Sequence, residues 1–128
     1  MAGKQLWLCI YTVRTLLIAR PFSAYRFSVE LSPFRGHTDS VEDLQWSPTE
    51  PNVFASCSVD KSIRFWDTRQ RKSSALAIPN AHESDVNVIS WNKIDSHLLV
   101  SGGDEGHIKV RISSRSPFPC TEGRKRAE

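Results

Sequence analysis

The sequence matches itself when it is shifted by 45 residues, and this internal repeat constrains the fold more than any other feature. His37 then falls on His82 and Trp46 on Trp91, with no gap needed between 37 and 112. Other pairs share the same chemistry: Val41 with Val86, Leu44 with Ile89, Val53 with Leu98, Ser56 with Ser101, Ile63 with Ile108. Chance does not supply this many matches of like character. Two copies of one supersecondary unit are therefore expected.

Each copy contains short runs of β-prone residues separated by turn residues. In the first copy the runs are 41–46, 53–58 and 63–66, and the second copy repeats them as VNVISW, LLVSGG and HIKV. A period of roughly 40–45 residues with four strands is typical of a β-propeller blade. We therefore expect an all-β chain, a propeller fragment of about two four-stranded blades. The expected blade-core residues are Val41, Leu44, Trp46, Ile63, Val86, Ile89, Trp91 and Ile108.

The repeat divides the chain into five segments. Residues 1–33 are an unassigned N-terminal segment that could supply an outer strand or part of another blade. The first blade is expected over 34–69, and 70–80 form a linker or outer strand. A truncated second blade is expected over 81–112. The basic, Pro-containing stretch 113–128 has no period, and we expect it to be disordered.

The charge of the chain is unevenly distributed, although the net charge is only +3. Residues 36–110 carry 7 basic and 11 acidic groups, whereas both ends of the chain are basic. A nucleic-acid groove would require clustered Lys and Arg in the repeats, so direct binding of nucleic acid is not expected. The acidic repeats favour a basic partner instead.

The first nineteen residues resemble a secretory signal, because Lys4 precedes an apolar run. Arg14 interrupts that run and leaves only 6–13 and 16–19 as apolar pieces. Neither piece reaches the ~20 residues that a membrane span needs. We interpret the segment as a local strand or helix and expect no membrane association.

The cysteines give no sign of a metal site or of a disulfide framework. Cys9, Cys57 and Cys120 are odd in number and widely spaced, and no CxxC pair or Cys/His ligand spacing occurs. We expect no metal and no cofactor, and a reducing compartment fits this cysteine usage.

The first copy resembles the WD-repeat family. The resemblance is carried by the dipeptides at 36–37 (GH) and 66–67 (WD), with Ser56 and Asp60 between them. It implies a buried hydrogen-bond relay from Trp66 through Ser56 and His37 to Asp60, in which each donor meets an acceptor. The second copy offers His82 and Ser101 for the equivalent relay.

The second copy departs from this pattern at its end. Glu105 stands at the position of Asp60, which is a tolerable change. Arg111 stands where the first copy has Trp66, and Ile112 where it has Asp67. A guanidinium is expected to replace a buried indole only if it finds an acidic partner or solvent. The sequence therefore predicts a damaged second blade.

A Ser/His/Asp hydrolase is the sharpest enzymatic alternative, because His37, Ser56 and Asp60 supply the residue types of such a triad. However, Ser56 lies within an apolar strand without a GxSxG nucleophile elbow, and no Gly-rich oxyanion loop precedes it. We therefore expect a binding scaffold and not an enzyme.

The strings SVEDLQWSPTE, FASCS and DVNVISW resemble one subfamily, the glutamate-rich WD-repeat proteins of ribosome assembly. Related histone-binding WD proteins of the retinoblastoma-binding type are the nearest rivals. The resemblance covers about 33–110, without the subfamily's acidic N-terminal region, and implies the nucleus and nucleolus. It implies a chaperone for a basic ribosomal protein or histones. The candidate contacts for such a client are Asp39, Glu42, Asp43, Glu83 and Asp85.

Two other functions are compatible with the sequence. Residues 54–69 resemble the box by which WD proteins dock the adaptor of cullin ubiquitin ligases, with Asp67 and Arg69 as candidate docking residues. Such a chain would be a substrate receptor. Because closed propellers have about 4–8 blades, the chain is otherwise expected to be a fragment or truncated product, inactive by itself. The RKR run at 124–126 is a candidate nuclear-import patch.

Overall fold

The computed structural model describes residues 8–11, 15–23, 26–29, 32–70, 74–112 and 125–126, and these form β-strands and turns. The expectation of an all-β fold is confirmed. No helix in this part of the chain is long and apolar enough to cross a membrane. The strands form three antiparallel sheets of four strands each.

The N-terminal sheet contains β1 (Leu8–Tyr11), β2 (Thr15–Ser23), β3 (Arg26–Val29) and β4 (Phe34–Arg35). The long strand β2 is central and pairs with the other three. The described parts of the first nineteen residues are thus strands.

The two repeats form the other two sheets. The first blade contains β5 (Val41–Trp46), β6 (Val53–Ser58), β7 (Ile63–Asp67) and β8 (Leu76–Ile78) in spatial order. The second blade contains β9 (Val86–Trp91), β10 (Leu98–Gly103), β11 (Ile108–Ile112) and β12 (Lys125–Arg126). Of the basic tail, only β12 belongs to the described residues, and it pairs with β11. The expected disorder of the tail otherwise falls outside the described residues.

The turn between the first two strands is built in the same way in both blades. The Ser47 hydroxyl accepts the backbone N–H groups of Thr49 and Glu50, at 3.3 and 3.0 Å. In the second blade the Asn92 side chain accepts those of Ile94 and Asp95, at 2.8 and 3.0 Å. Local side-chain acceptors of this kind fix a turn without help from the core.

Two apolar clusters hold the three sheets together. One lies between the blades, where Ile63 and Phe65 of the first blade meet Ile89 and Leu99 of the second. Phe65 and Trp91 form a T-shaped aromatic pair there, with ring centroids 5.5 Å apart. The other cluster joins the N-terminal sheet to the first blade through Leu16, Phe34, Val41, Phe54 and Trp66. Each face of the first blade is thereby covered.

Cys57 lies within the inter-blade cluster and is fully buried as a free thiol. Burial is the main cause that raises the pKa of this thiol, to about 12. It behaves as a small apolar core residue.

The repeat led to one wrong core residue. Val41, Ile63, Val86, Ile89 and Trp91 are buried, whereas Ile108 is 56% exposed. Leu44 and Trp46 are half-buried. Ile63 is covered because the second blade packs on its face, but no described residue packs on the matching face of the second blade. Equivalent positions in a repeat are buried equally only when each copy has a neighbour on the same side.

Candidate protein-interaction surface

A chain of hydrogen bonds connects two strands and two loops of the first blade. The Trp66 indole N–H donates to the Ser56 hydroxyl at 2.8 Å, and the Ser56 oxygen lies 2.7 Å from Nε2 of His37. Nδ1 of His37 lies 2.8 Å from the Asp60 carboxylate. With the proton on Nδ1, Ser56 donates to His37 and His37 donates to Asp60, so every donor has an acceptor.

Asp60 fixes the loops at this end of the blade. Its carboxylate accepts the backbone N–H of Thr38 at 3.0 Å and that of Ser62 at 2.9 Å, and it also accepts the Ser62 hydroxyl at 2.5 Å. Burial would raise the pKa of Asp60, but the hydrogen bonds from Ser62 and His37 outweigh it and hold the pKa below 3.8. Burial also lowers the pKa of His37 below 6.5.

This arrangement uses Ser56 as a structural link. The residue is fully buried, and its hydroxyl already contacts both Trp66 and His37. A nucleophile needs access to a substrate and an adjacent oxyanion site. The three residue types of a hydrolase triad are therefore present without the access that a hydrolase requires.

The second blade has a shorter version of the same relay. Nε2 of His82 lies 2.8 Å from the Ser101 hydroxyl, and Nδ1 contacts the Glu105 carboxylate. Burial lowers the pKa of His82 below 6.5. Glu105 thus occupies the role that Asp60 has in the first blade.

Arg111 is accommodated in a way that the sequence did not predict. It is only 8% exposed, and its guanidinium donates to the backbone carbonyl of Ala81 at 2.7 Å. A backbone carbonyl is thus one acceptor of this buried guanidinium. Lys109 donates to the same carbonyl at 2.9 Å.

Acidic side chains of both blades lie at the end of the sheets where the relays are. Asp39, Glu42 and Glu83 are exposed, and Asp85 is half-buried. The turn 58–62 links the two loops, since Val59 N–H donates to the Ser40 carbonyl and Ala81 N–H to the Lys61 carbonyl, at 2.9 and 2.8 Å. We call Asp39, Glu42, Glu83 and Asp85 the acidic loop surface.

Asp43 does not belong to this surface, which corrects its assignment as a client contact. One carboxylate oxygen accepts the N–H of Leu44 at 2.8 Å, and the other accepts the N–H of Ile89 in the second blade at 3.0 Å. The register of β5 and β6 shifts between Val41 and Asp43, as in a β-bulge. Such a bulge redirects a side chain, and here Asp43 connects the two blades.

Asp67 and Arg69 lie at the opposite end of the first blade. The Arg69 guanidinium donates to both carboxylate oxygens of Asp67, at 2.9 and 2.7 Å, and 65% of its side chain is exposed. The hydrogen bonds from Arg69 are the main cause that holds the pKa of Asp67 below 3.8. The guanidinium is thus exposed and held in one orientation.

The sequence matches the WD domain, G-beta repeat family over residues 28–67 and 73–111, which is more than half of the chain. The chain belongs to the WD-repeat family. The resemblance drawn from the GH and WD dipeptides is thereby confirmed.

This WD-repeat chain is similar to short parts of three relatives. It is 51% identical over 65 residues to Ribosome assembly protein rrb1 of Schizosaccharomyces pombe, covering 50% of the chain and 14% of that protein. It is 65% identical over 51 residues to Protein HEAT STRESS TOLERANT DWD 1 of Arabidopsis thaliana, covering 40% and 11%. It is 54% identical over 46 residues to Glutamate-rich WD repeat-containing protein 1 of Dictyostelium discoideum, covering 36% and 10%. The chain therefore spans only a small part of each relative.

The roles of two residues at the WD-repeat relay, Ser62 and Gly36, were missed from the sequence. Ser62 donates to Asp60, and the spacing of two residues after an acidic turn residue was the available signal. Gly36 leaves room for the indole, because a Cβ there would lie 2.9 Å from Cη2 of Trp66. The repeat offered a signal for the role of Gly36. The shift of 45 residues aligns Gly36 with Ala81 and Trp66 with Arg111, so the glycine and the indole are lost together in the second copy.

Proposed function

We propose that this chain is the protein-binding part of a ribosome-biogenesis factor and that it binds a basic client, a ribosomal protein or a histone. The observation that carries the proposal is the acidic loop surface on a WD-repeat scaffold whose relatives include a ribosome assembly protein. The nucleus and nucleolus are part of the same proposal.

The geometry supports a client that lies across both blades. Asp39 and Glu42 belong to the first blade and Glu83 and Asp85 to the second, and the turn 58–62 contacts both of their loops. Asp60 and the two histidines hold these loops from beneath, so the carboxylates stand on a fixed support. Charges that are positioned before binding steer an oppositely charged partner and increase its association rate.

The experiment is a titration of the full chain into a fluorescent Lys/Arg-rich peptide, followed by anisotropy. The triple variant Asp39→Asn, Glu42→Gln, Glu83→Gln removes three exposed carboxylates of the surface. At about 0.2–1 kcal/mol for each exposed pair, the Kd is expected to rise roughly three- to a hundredfold. Added salt is expected to weaken the wild-type complex.

Asp95→Asn is the matched control. Asp95 is an exposed carboxylate at the opposite end of the second blade, and an amide still accepts the His97 N–H that it binds at 3.0 Å. The peptide affinity of this variant is expected to be unchanged. Equal losses in the control and in the triple variant would reduce the proposal to a non-specific charge effect. A folded chain with no affinity for the peptide would favour the third alternative, an inactive product.

A cullin-ligase substrate receptor is the second candidate function. The observation in its favour is the exposed Arg69 guanidinium, which the pair with Asp67 holds in place at the end of β7. An adaptor pull-down with the wild type and with Arg69→Ala tests it. Loss of the adaptor with Arg69→Ala supports docking, and the absence of any adaptor with the wild type removes this candidate.

A further inference from the structure

One face of the second blade is apolar and is covered by no residue in the described part of the chain. Val88 is 52% exposed, Ile108 56% and Ile112 40%. Val88 and Ile108 lie on either side of Gly102, and Ile112 pairs with Leu98, so these side chains share one face of the sheet. We call Val88, Ile108 and Ile112 the open face.

The open face differs in charge from the matching face of the first blade. Val88 stands where the first blade has Asp43, and Ile112 where it has Asp67. In the first blade Asp43 accepts the N–H of Ile89, which belongs to the blade packed against it. A further blade that packed on the second in the same way would meet the methyl groups of Val88 instead of that acceptor.

These substitutions make the open face complementary to itself. The other two apolar interfaces in the described residues are already filled, between the blades and between the first blade and the N-terminal sheet. A second copy offers the same open face as a matching apolar surface. With both carboxylates replaced by aliphatic residues, two such faces approach each other without repulsion between like charges at these positions.

We propose that the chain forms a twofold symmetric dimer in which the open face packs against the open face of a second copy. The apolar area removed from water supplies the free energy of association. Exposed apolar patches rimmed by polar residues commonly mark such interfaces. This proposal is independent of the client proposed above, because the open face lies on the side of the blade and not on its loops.

The test is sedimentation equilibrium of the full chain over a wide range of concentration. Val88→Asp and Ile112→Asp restore the residues that the first blade has at these positions. Each puts a charge into the interface of both copies, and the dimer dissociation constant is expected to rise about tenfold or more. Circular dichroism of each variant checks that the blades remain folded.

Ile94→Thr is the matched control. Ile94 is 99% exposed, but it lies on a turn and not on the open face, and the first blade has Thr49 in the same turn. Its dimer dissociation constant is expected to equal that of the wild type. A wild type that stays monomeric, dimers that resist both Asp variants, or a mass that grows without reaching a dimer plateau would each overturn the proposal.

Discussion

Trp66 combines an apolar ring with one polar atom, and both are used in the first blade. The ring is 1% exposed between Phe34 and Phe54, and the indole N–H donates to Ser56. Trp66→Ala is expected to lower the free energy of unfolding by about 3–5 kcal/mol. Trp66→Phe keeps most of the ring and is expected to cost about 1–2 kcal/mol, because Ser56 loses its donor. Urea unfolding of both variants measures the difference, and equal costs would contradict the role of the hydrogen bond.

Lys61 has a left-handed backbone conformation with φ of 70°, whereas Gly106 adopts φ of 82° at the same position of the second blade. Removing a left-handed cost of about 1–2 kcal/mol outweighs the entropy of a new glycine, about 0.5–1 kcal/mol. Lys61→Gly is therefore expected to raise the free energy of unfolding by up to about 1 kcal/mol.

Gly106→Ala is the reverse experiment. No atom lies within 4 Å of a Cβ built at Gly106, so a loss of stability there reports conformation and not a clash. Thermal melts of the two variants should move in opposite directions. A Lys61→Gly variant that melts below the wild type would contradict the argument from backbone strain.

Within each blade, the residue at position 36 or 81 and the residue at position 66 or 111 are expected to be energetically coupled. An indole at 111 needs the space that a glycine leaves at 81, as Gly36 leaves space for Trp66. Arg111→Trp alone should destabilise the chain, and adding Ala81→Gly should recover about 0.5–3 kcal/mol beyond additivity. A double-mutant cycle in urea measures this coupling. The distant pair Ala81→Gly and Ile94→Thr should be additive.

The resemblance to the WD-repeat family implied a relay of His37, Ser56, Asp60 and Trp66, and the structure brings these four residues into contact. The same reasoning misassigned Asp43. The role of Asp43 depends on where the second blade packs, and no local sequence pattern shows that Ile89 lies within hydrogen-bond distance of Asp43. The contact between Arg111 and the Ala81 carbonyl was not predictable for a related reason, since any residue at 81 supplies a backbone carbonyl.

At the scale of strands and turns, Asp43 at the bulge of β5 connects two sheets. Asp43→Val copies the residue of the second blade and leaves the N–H groups of Leu44 and Ile89 without this acceptor. We expect a loss of about 1–3 kcal/mol in urea unfolding. Glu42→Val, at the exposed neighbouring position, should change stability by less than about 0.5 kcal/mol. Similar losses in both variants would contradict the role of Asp43.

The strands of the repeats were predictable because apolar and β-prone residues recur at fixed positions between Pro-, Asn- and Gly-containing turns. The expected runs 41–46 and 53–58 coincide with β5 and β6, and 63–66 with most of β7. The N-terminal sheet was less predictable. Its residues have no partner in the 45-residue repeat. The pairing of β2 with three other strands therefore could not be predicted from a sequence period.

Across the whole molecule, both relays make stability depend on pH in the same direction. The folded chain holds the pKa of His37 and of His82 below 6.5, mainly by burial, so the unfolded chain binds these protons first. Stability is therefore lost as the pH falls from about 6.5 towards the folded pKa values. A second loss follows below 3.8, where protonation of Asp60 removes the contribution of its lowered pKa.

Urea midpoints between about pH 7.5 and pH 5 measure the first of these losses. The slope against pH should be smaller in His82→Gln than in the wild type. His97→Gln, at an exposed position outside both relays, should keep the wild-type slope. A His82→Gln slope equal to the wild type would remove the second relay from this account.

The position of Cys57 makes the reactivity of its thiol a measure of how often the two blades separate. A thiol that is sealed between two sheets and holds its proton reacts with an alkylating reagent only after the sheets part. The rate of Cys57 modification, followed by mass spectrometry of its peptide, therefore counts opening events in the native chain. Substitutions that weaken the packing between the two blades will increase the rate of Cys57 modification. Substitutions confined to exposed turns will leave this rate unchanged.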